Sequence, residues 1–328
     1  SLEDSPVWNF SLEGFLRGGD ELAKTGVYLT QPYQRGKIPV LMLHGTASNP
    51  AQWSQLINDL MLDSRLRSRY QLWVGLYHTG NPVLYSAWGI RGALAELVAE
   101  LDPEGTEAAL DDLVVVGHSQ GGLVARLLVS SSGDDFWTLV SKEPFEDYSL
   151  SPEAREILAG SLFFEPLPFV RRVVFVSTPH RGSYLAASWI GRLSQGLVAV
   201  PRSLTRSLKQ LGKGNDLPEE LREGVPTSVE NMDPDSRFVS VLQGLPFEPG
   251  VHLHSIVSVD GKGPPEKGND GVVAYKSAHL DQAESELVVR RGHSCQNEPE
   301  TVLELRRILL EHLRALAPEA PEGVEPIE

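Results

Sequence analysis

Apolar runs of strand length alternate with stretches of helical period from about Gly26 to Leu316. Val27–Thr30 and Val40–Leu43 predict strands, the second almost wholly apolar, as a strand buried on both faces is. Gln52–Leu62 predicts a helix with Trp53, Leu56, Ile57 and Leu60 on one face. Tyr70–Tyr77 predicts a strand and Tyr85–Leu101 a helix closed by Pro103. A short strand, Leu113–Gly117, runs into a helix, Gly121–Val129. Val173–Ser177, His252–Val259 and Leu287–Val289 complete the strands. Thr301–Leu316 predicts an amphipathic helix with Leu303, Leu305, Ile308, Leu309 and Leu313 inward. Strands separated by helices imply an α/β fold, a mainly parallel sheet covered on both faces.

Two stretches break the rhythm. About 134–168 and about 184–250 are too long for plain connections, and they predict insertions forming a cap. The second contains an apolar stripe, Ala186, Trp189, Ile190, Leu193 and Leu197, suited to core packing or to the inner face of a lid. Next comes a helix-like run with Leu204, Leu208 and Leu211 on one side and Arg202, Arg206, Lys209 and Lys213 on another. A solvated basic face is favoured there over transient docking to a lipid interface. The organisation is therefore one domain over 1–316 with two insertions. Residues 317–328, rich in Pro and Glu, predict a disordered tail.

Composition narrows the function. The net charge of −15 repels phosphate backbones and excludes a nucleic-acid partner. It also disfavours standing attachment to anionic lipid. The single cysteine, Cys295, permits neither an intrachain disulfide nor a thiolate metal cluster. No run approaches the roughly 20 apolar residues of a membrane-spanning helix. The first residues, SLEDSPVWNF, show no basic and apolar leader pattern, and the compartment, cytoplasmic or exported, stays open.

The sharpest chemical signal is Gly117-His118-Ser119-Gln120-Gly121-Gly122, set between an apolar strand and an apolar helix. A serine on a tight strand-to-helix turn is lifted above the sheet, and small residues two positions either side let neighbouring chains approach. The segment resembles the nucleophile elbow of α/β-hydrolases, and Gly-His-Ser-Gln-Gly is similar to the form in bacterial true lipases. The resemblance covers about Pro39 to Leu316 but not clearly the insertions. It implies an α/β-hydrolase fold with Ser119 as nucleophile.

A tetrahedral oxyanion needs donors aimed at it. Gln120, following the nucleophile, offers one backbone N–H at a helix start. The buried strand ending in His44-Gly45-Thr46 resembles the His-Gly-x segment of lipases, which carries the second donor over to the N–H of Thr46. Threonine departs from the bulky apolar residue often found there. His44 is read as orienting backbone rather than as an acid or base.

The general base should follow the last strand. Gly292-His293 sits there, before the final helix, and outranks the other eight histidines. Asp260, Asp270 and Asp281 all lie in the right order for the acid. Asn269-Asp270-Gly271-Val272-Val273 resembles the acid-bearing segment of bacterial lipases and favours Asp270; Asp260, ending a strand, is the rival. Lipases of this kind often bind calcium near the histidine. Here Ser294, Cys295 and Gln296 follow His293 without the expected carboxylate, so no metal or other cofactor is carried over. Val176–Ser183 also resembles a lipase segment and is read as scaffold. The resulting expectation is hydrolysis of a small-molecule or lipid ester through an acyl-serine. Acyltransfer, thioester or peptide cleavage by the same residues, or a binding protein that kept the fold, are the alternatives.

Overall fold

The computed structural model describes residues 25–185, 202–211 and 227–316. The apolar stripe from Ala186 to Leu197, Lys213 and the tail 317–328 lie outside the described residues. Seven strands form one sheet: β1 (Gly26–Leu29), β2 (Ile38–Leu43), β3 (Tyr70–Leu76), β4 (Leu113–His118), β5 (Val170–Val176), β6 (His252–Ser258) and β7 (Ser285–Val289). Their order is β1-β3-β2-β4-β5-β6-β7. All neighbours pair in parallel except β1, which runs antiparallel to β3. Among the described residues the helices are α1 (Ser54–Leu62), α2 (Ser64–Arg69), α3 (Val83–Leu101), α4 (Gln120–Leu128), α5 (Pro152–Leu162), α6 (Arg202–Leu211), α7 (Ser228–Asn231), α8 (Arg237–Gly244), α9 (Tyr275–Ala278) and α10 (Pro299–Leu316). None is long and apolar enough to cross a membrane.

The strand alternation builds two core layers, because successive side chains leave opposite faces of the sheet. Leu41, Leu43, Val115, Val173 and Phe175 face α3 and α4, where Ile90, Leu94, Leu123 and Leu127 meet them. Val40, Met42, Val114, Val116, Val174 and Val176 face the other way, onto Leu56 and Leu60 of α1 and Leu305, Ile308 and Leu309 of α10. Leu303 departs from the expected inward set and is 62% exposed. Two residues away from Leu305, it is turned about 200° around the helix axis. The expected helix at Gln52 begins instead at Ser54. Asn49 accepts from the Ala51 N–H, and with Pro50 it tightens the entry into a separate 3₁₀ turn, Pro50–Trp53. β5 begins earlier than its apolar run, because buried Arg172 is part of the strand. Its guanidinium reaches His312 Nδ1 (3.3 Å), His254 Nε2 and Glu311 (3.4 Å).

The described parts of the two long stretches expected to be insertions meet each other. Ser151 N–H donates to Gln210 Oε1 at 2.8 Å, and the Gln210 amide returns to Ser151 Oγ. Leu204 and Leu211 are buried, while Arg202, Arg206 and Lys209 are exposed.

Burial keeps several histidines neutral. His44, His254 and His312 are pushed down to about 4 and His118 to about 3, chiefly by desolvation; His180 is lowered for the same reason. In the unfolded chain each titrates near 6.5. Their contribution to stability is thus complete above pH 6.5 and is lost as pH falls from there toward the folded values. At pH 5.5 His44, His118, His254 and His312 each cost on the order of 1 kcal/mol. Thermal melts between pH 7.5 and 5 should therefore show a steep fall in Tm below pH 6.5. A flat profile would contradict the neutral burial.

Candidate active site

The site lies at the carboxyl ends of the strands, beside the point where the chain order reverses between β2 and β4. Ser119 links β4 to α4 with φ 54° and ψ −123°, a left-handed conformation that a side chain normally avoids. The glycines make that turn sterically feasible. A Cβ on Gly117 would strike the backbone of Gly121 and Gly122, and one on Gly121 would strike the carbonyls of Leu43 and His44.

His293 Nε2 lies 2.8 Å from Ser119 Oγ, and Nδ1 lies 2.8 Å from Asp270 Oδ2. All three side chains are buried. The arrangement crosses the sheet: β4 and β7 are separated by two strands, roughly 14 Å at the usual spacing. The loop after β7 therefore folds back over the ends of β6 and β5. His118 holds it there, with a ring nitrogen 3.0 Å from the His293 carbonyl. A carbonyl only accepts, so Nε2–H of His118 is the donor.

Asp270 has every oxygen occupied. Oδ1 accepts the N–H groups of Val272 (2.9 Å) and Val273 (2.6 Å), and Oδ2 accepts the Ser258 hydroxyl (2.7 Å) as well as His293. Burial alone would raise its pKa. The hydrogen bond and charge of His293, with the Val273 amide and Ser258, outweigh that and hold it below the usual carboxylate value. Asp260, the rival, is exposed at the end of β6 and accepts from the Gly261 N–H instead. Asp281 is also exposed and pairs with Arg181 and His279.

The loop of Gly45 and Thr46 lies against the elbow, where a Cβ on Gly45 would meet His118 and Ser119. The Ser119 backbone is not itself a free donor. Its own N–H is taken by the Val176 carbonyl at 2.8 Å. That leaves the Gln120 N–H, one of the orphan donors of the first turn of α4, where the helix dipole is positive. The Thr46 hydroxyl donates to Gln120 Oε1 at 2.6 Å, so threonine braces the loop across to the elbow. His44 stacks on Tyr77 at 4.5 Å and has Nδ1 on the Gly45 carbonyl, in keeping with a structural role. Cys295 is fully buried, 3.5 Å from Ser177 Oγ. Ser258, His118 and the Val272–Val273 amides are not among the expected site residues. Ser258 closes β6 with no motif of its own, and backbone amides leave no mark in a sequence.

The model of the Alpha/beta hydrolase family matches residues 40–305, and the chain belongs to that family. No curated relative matches the sequence. Among solved structures, the mature Bacillus licheniformis lipase BlEst2 is similar with a TM-score of 0.51 and 14% identity, over 87% of this chain and 97% of that one. An Exiguobacterium antarcticum esterase, EaEST, gives 0.41 at 14% identity over 88% and 96%. The former likeness shows the shared fold.

Proposed function

We propose that this chain is a serine carboxylic-ester hydrolase of the esterase or lipase kind, with Ser119, His293 and Asp270 as its catalytic triad. The observation that carries the reading is the unbroken hydrogen-bonded line from Ser119 Oγ through both ring nitrogens of His293 to Asp270 Oδ2. Ser119 attacks the ester carbonyl as Nε2 of His293 takes its proton. The N–H groups of Thr46 and Gln120 hold the oxyanion. His293 then returns the proton to the departing alcohol, and water releases the acid by the same route in reverse. Asp270 fixes the tautomer with the proton on Nδ1 and stabilises the imidazolium. The resemblance to Gly-His-Ser-Gln-Gly lipases supports ester substrates, and the two insertions are read as a cap that selects the acyl chain.

The test is direct. A fluorophosphonate probe should label Ser119, and a p-nitrophenyl ester series should be hydrolysed with a preferred chain length. A folded protein that neither labels nor turns over any ester would be a binding protein. Faster transfer to added alcohols than to water would make it an acyltransferase, and faster cleavage of thioesters or amides would replace the ester reading.

A further inference from the structure

Thr79 lies in the loop between β3 and α3, outside every motif above, and is 1% exposed. Its hydroxyl and its carbonyl are both engaged by elements of the site. Its hydroxyl accepts the Ala47 N–H at 3.1 Å. Its carbonyl accepts the Gln120 side-chain amide at 3.0 Å and also the hydroxyl of fully buried Ser228. Ala47 has φ 53°, a left-handed conformation costly for alanine, so an outside contact has to hold it. The Thr46 hydroxyl meanwhile reaches Gln120 Oε1. The loop bearing one proposed oxyanion donor is thus fastened at two successive residues. One fastening runs to Thr79, and the other runs through the Gln120 side chain back to Thr79.

Ser228 extends the same hub. It begins α7, in the carboxyl-side part of the second insertion, and Asn231 of that helix accepts the Val83 N–H at 3.0 Å. The second insertion and the oxyanion loop therefore share one buried acceptor residue.

We infer that Thr79 is a positioning residue for the oxyanion hole, aiming the Thr46 N–H by holding the strained Ala47 peptide and the Gln120 side chain, with Ser228 bracing it from the insertion. The inference rests on the esterase reading. Its effect falls on the tetrahedral intermediates and their transition states and not on the bound ester, because the oxyanion is absent from the ground state. Thr79 does not touch substrate, and misaiming one donor should cost less than the roughly 10²–10³-fold of deleting it.

The experiment compares Thr79→Val, which keeps shape and carbonyl but loses the hydroxyl, with Thr79→Ser, which keeps the hydroxyl. Thr79→Val should lower kcat on a p-nitrophenyl ester about 10–50-fold with KM within twofold. It should weaken an alkyl boronic acid, which mimics the tetrahedral state, by a similar factor, and leave a non-reactive alcohol inhibitor unchanged. Thr79→Ser should restore kcat to within about threefold of the wild type. Unchanged kcat, equal losses for boronate and alcohol, or failure of serine to rescue would overturn the proposal. If Thr79→Val does not fold, Ser228→Ala is read the same way, with a smaller kcat loss of about 3–5-fold expected and an unchanged kcat counting against it. Failure of the underlying reading looks different: the wild type would then neither hydrolyse the ester nor label with fluorophosphonate.

Discussion

Ser119→Ala is expected to lower ester turnover by on the order of 10⁴–10⁶-fold, with an unchanged melting temperature and circular dichroism spectrum. The change removes the attacking atom and adds no volume. It leaves the backbone N–H on the Val176 carbonyl and the neighbouring Gln120 N–H at the helix start. Some activity above water should survive, because substrate binding and the oxyanion donors remain. Alanine at φ 54° is no worse placed than serine, so the strained turn should persist. The measurement is steady-state hydrolysis of a short p-nitrophenyl ester, with intact mass after fluorophosphonate treatment. A purified, folded variant that kept wild-type turnover would sink the proposed function entirely.

Asp270→Asn should lower kcat by about 10³–10⁴-fold with little change in KM. The direction follows from the donors around the carboxylate. The Val272 and Val273 amides both point at Oδ1, so an asparagine must keep its oxygen there. Its NH₂ group then takes the place of Oδ2, facing Nδ1 of His293 and the Ser258 hydroxyl. An NH₂ donor demands an acceptor at Nδ1, which moves the imidazole proton to Nε2. Nε2 then points a hydrogen at Ser119 and cannot take its proton. Asp260→Asn, on an exposed side chain at the far end of that loop, should change kcat less than twofold. Paired kcat and KM measurements on the two variants decide the matter, and a reversed order of effects would remove Asp270 from the proposed triad.

The apolar rhythm of the chain determined the alternation of strands and helices. A continuous apolar run such as Leu113–Val116, buried on both faces of the sheet, is a local property that a sequence displays directly. So is the period of 3.6 in the buried positions of Pro299–Leu316. The strand-to-helix turn at Ser119 was equally legible, because crowding at Gly117 and Gly121 admits no side chain, and that restriction is written in the residue types themselves. His293 and Asp270 could be ranked by chain order and by a resembling segment. Their contact across 23 positions, with Asp260 left away from the imidazole, was decided by where the β6 and β7 loops fold back over the sheet. The antiparallel placement of β1 and the outward turn of Leu303 were likewise tertiary outcomes, since pairing partners and the neighbouring helix surface lie far away in sequence. The roles of Ser258, His118 and Thr79 were invisible for the same reason. Each acts through hydrogen bonds between segments separated by as many as 175 positions, as for His118 and the His293 carbonyl, and only the packed chain brings those groups within about 3 Å of one another.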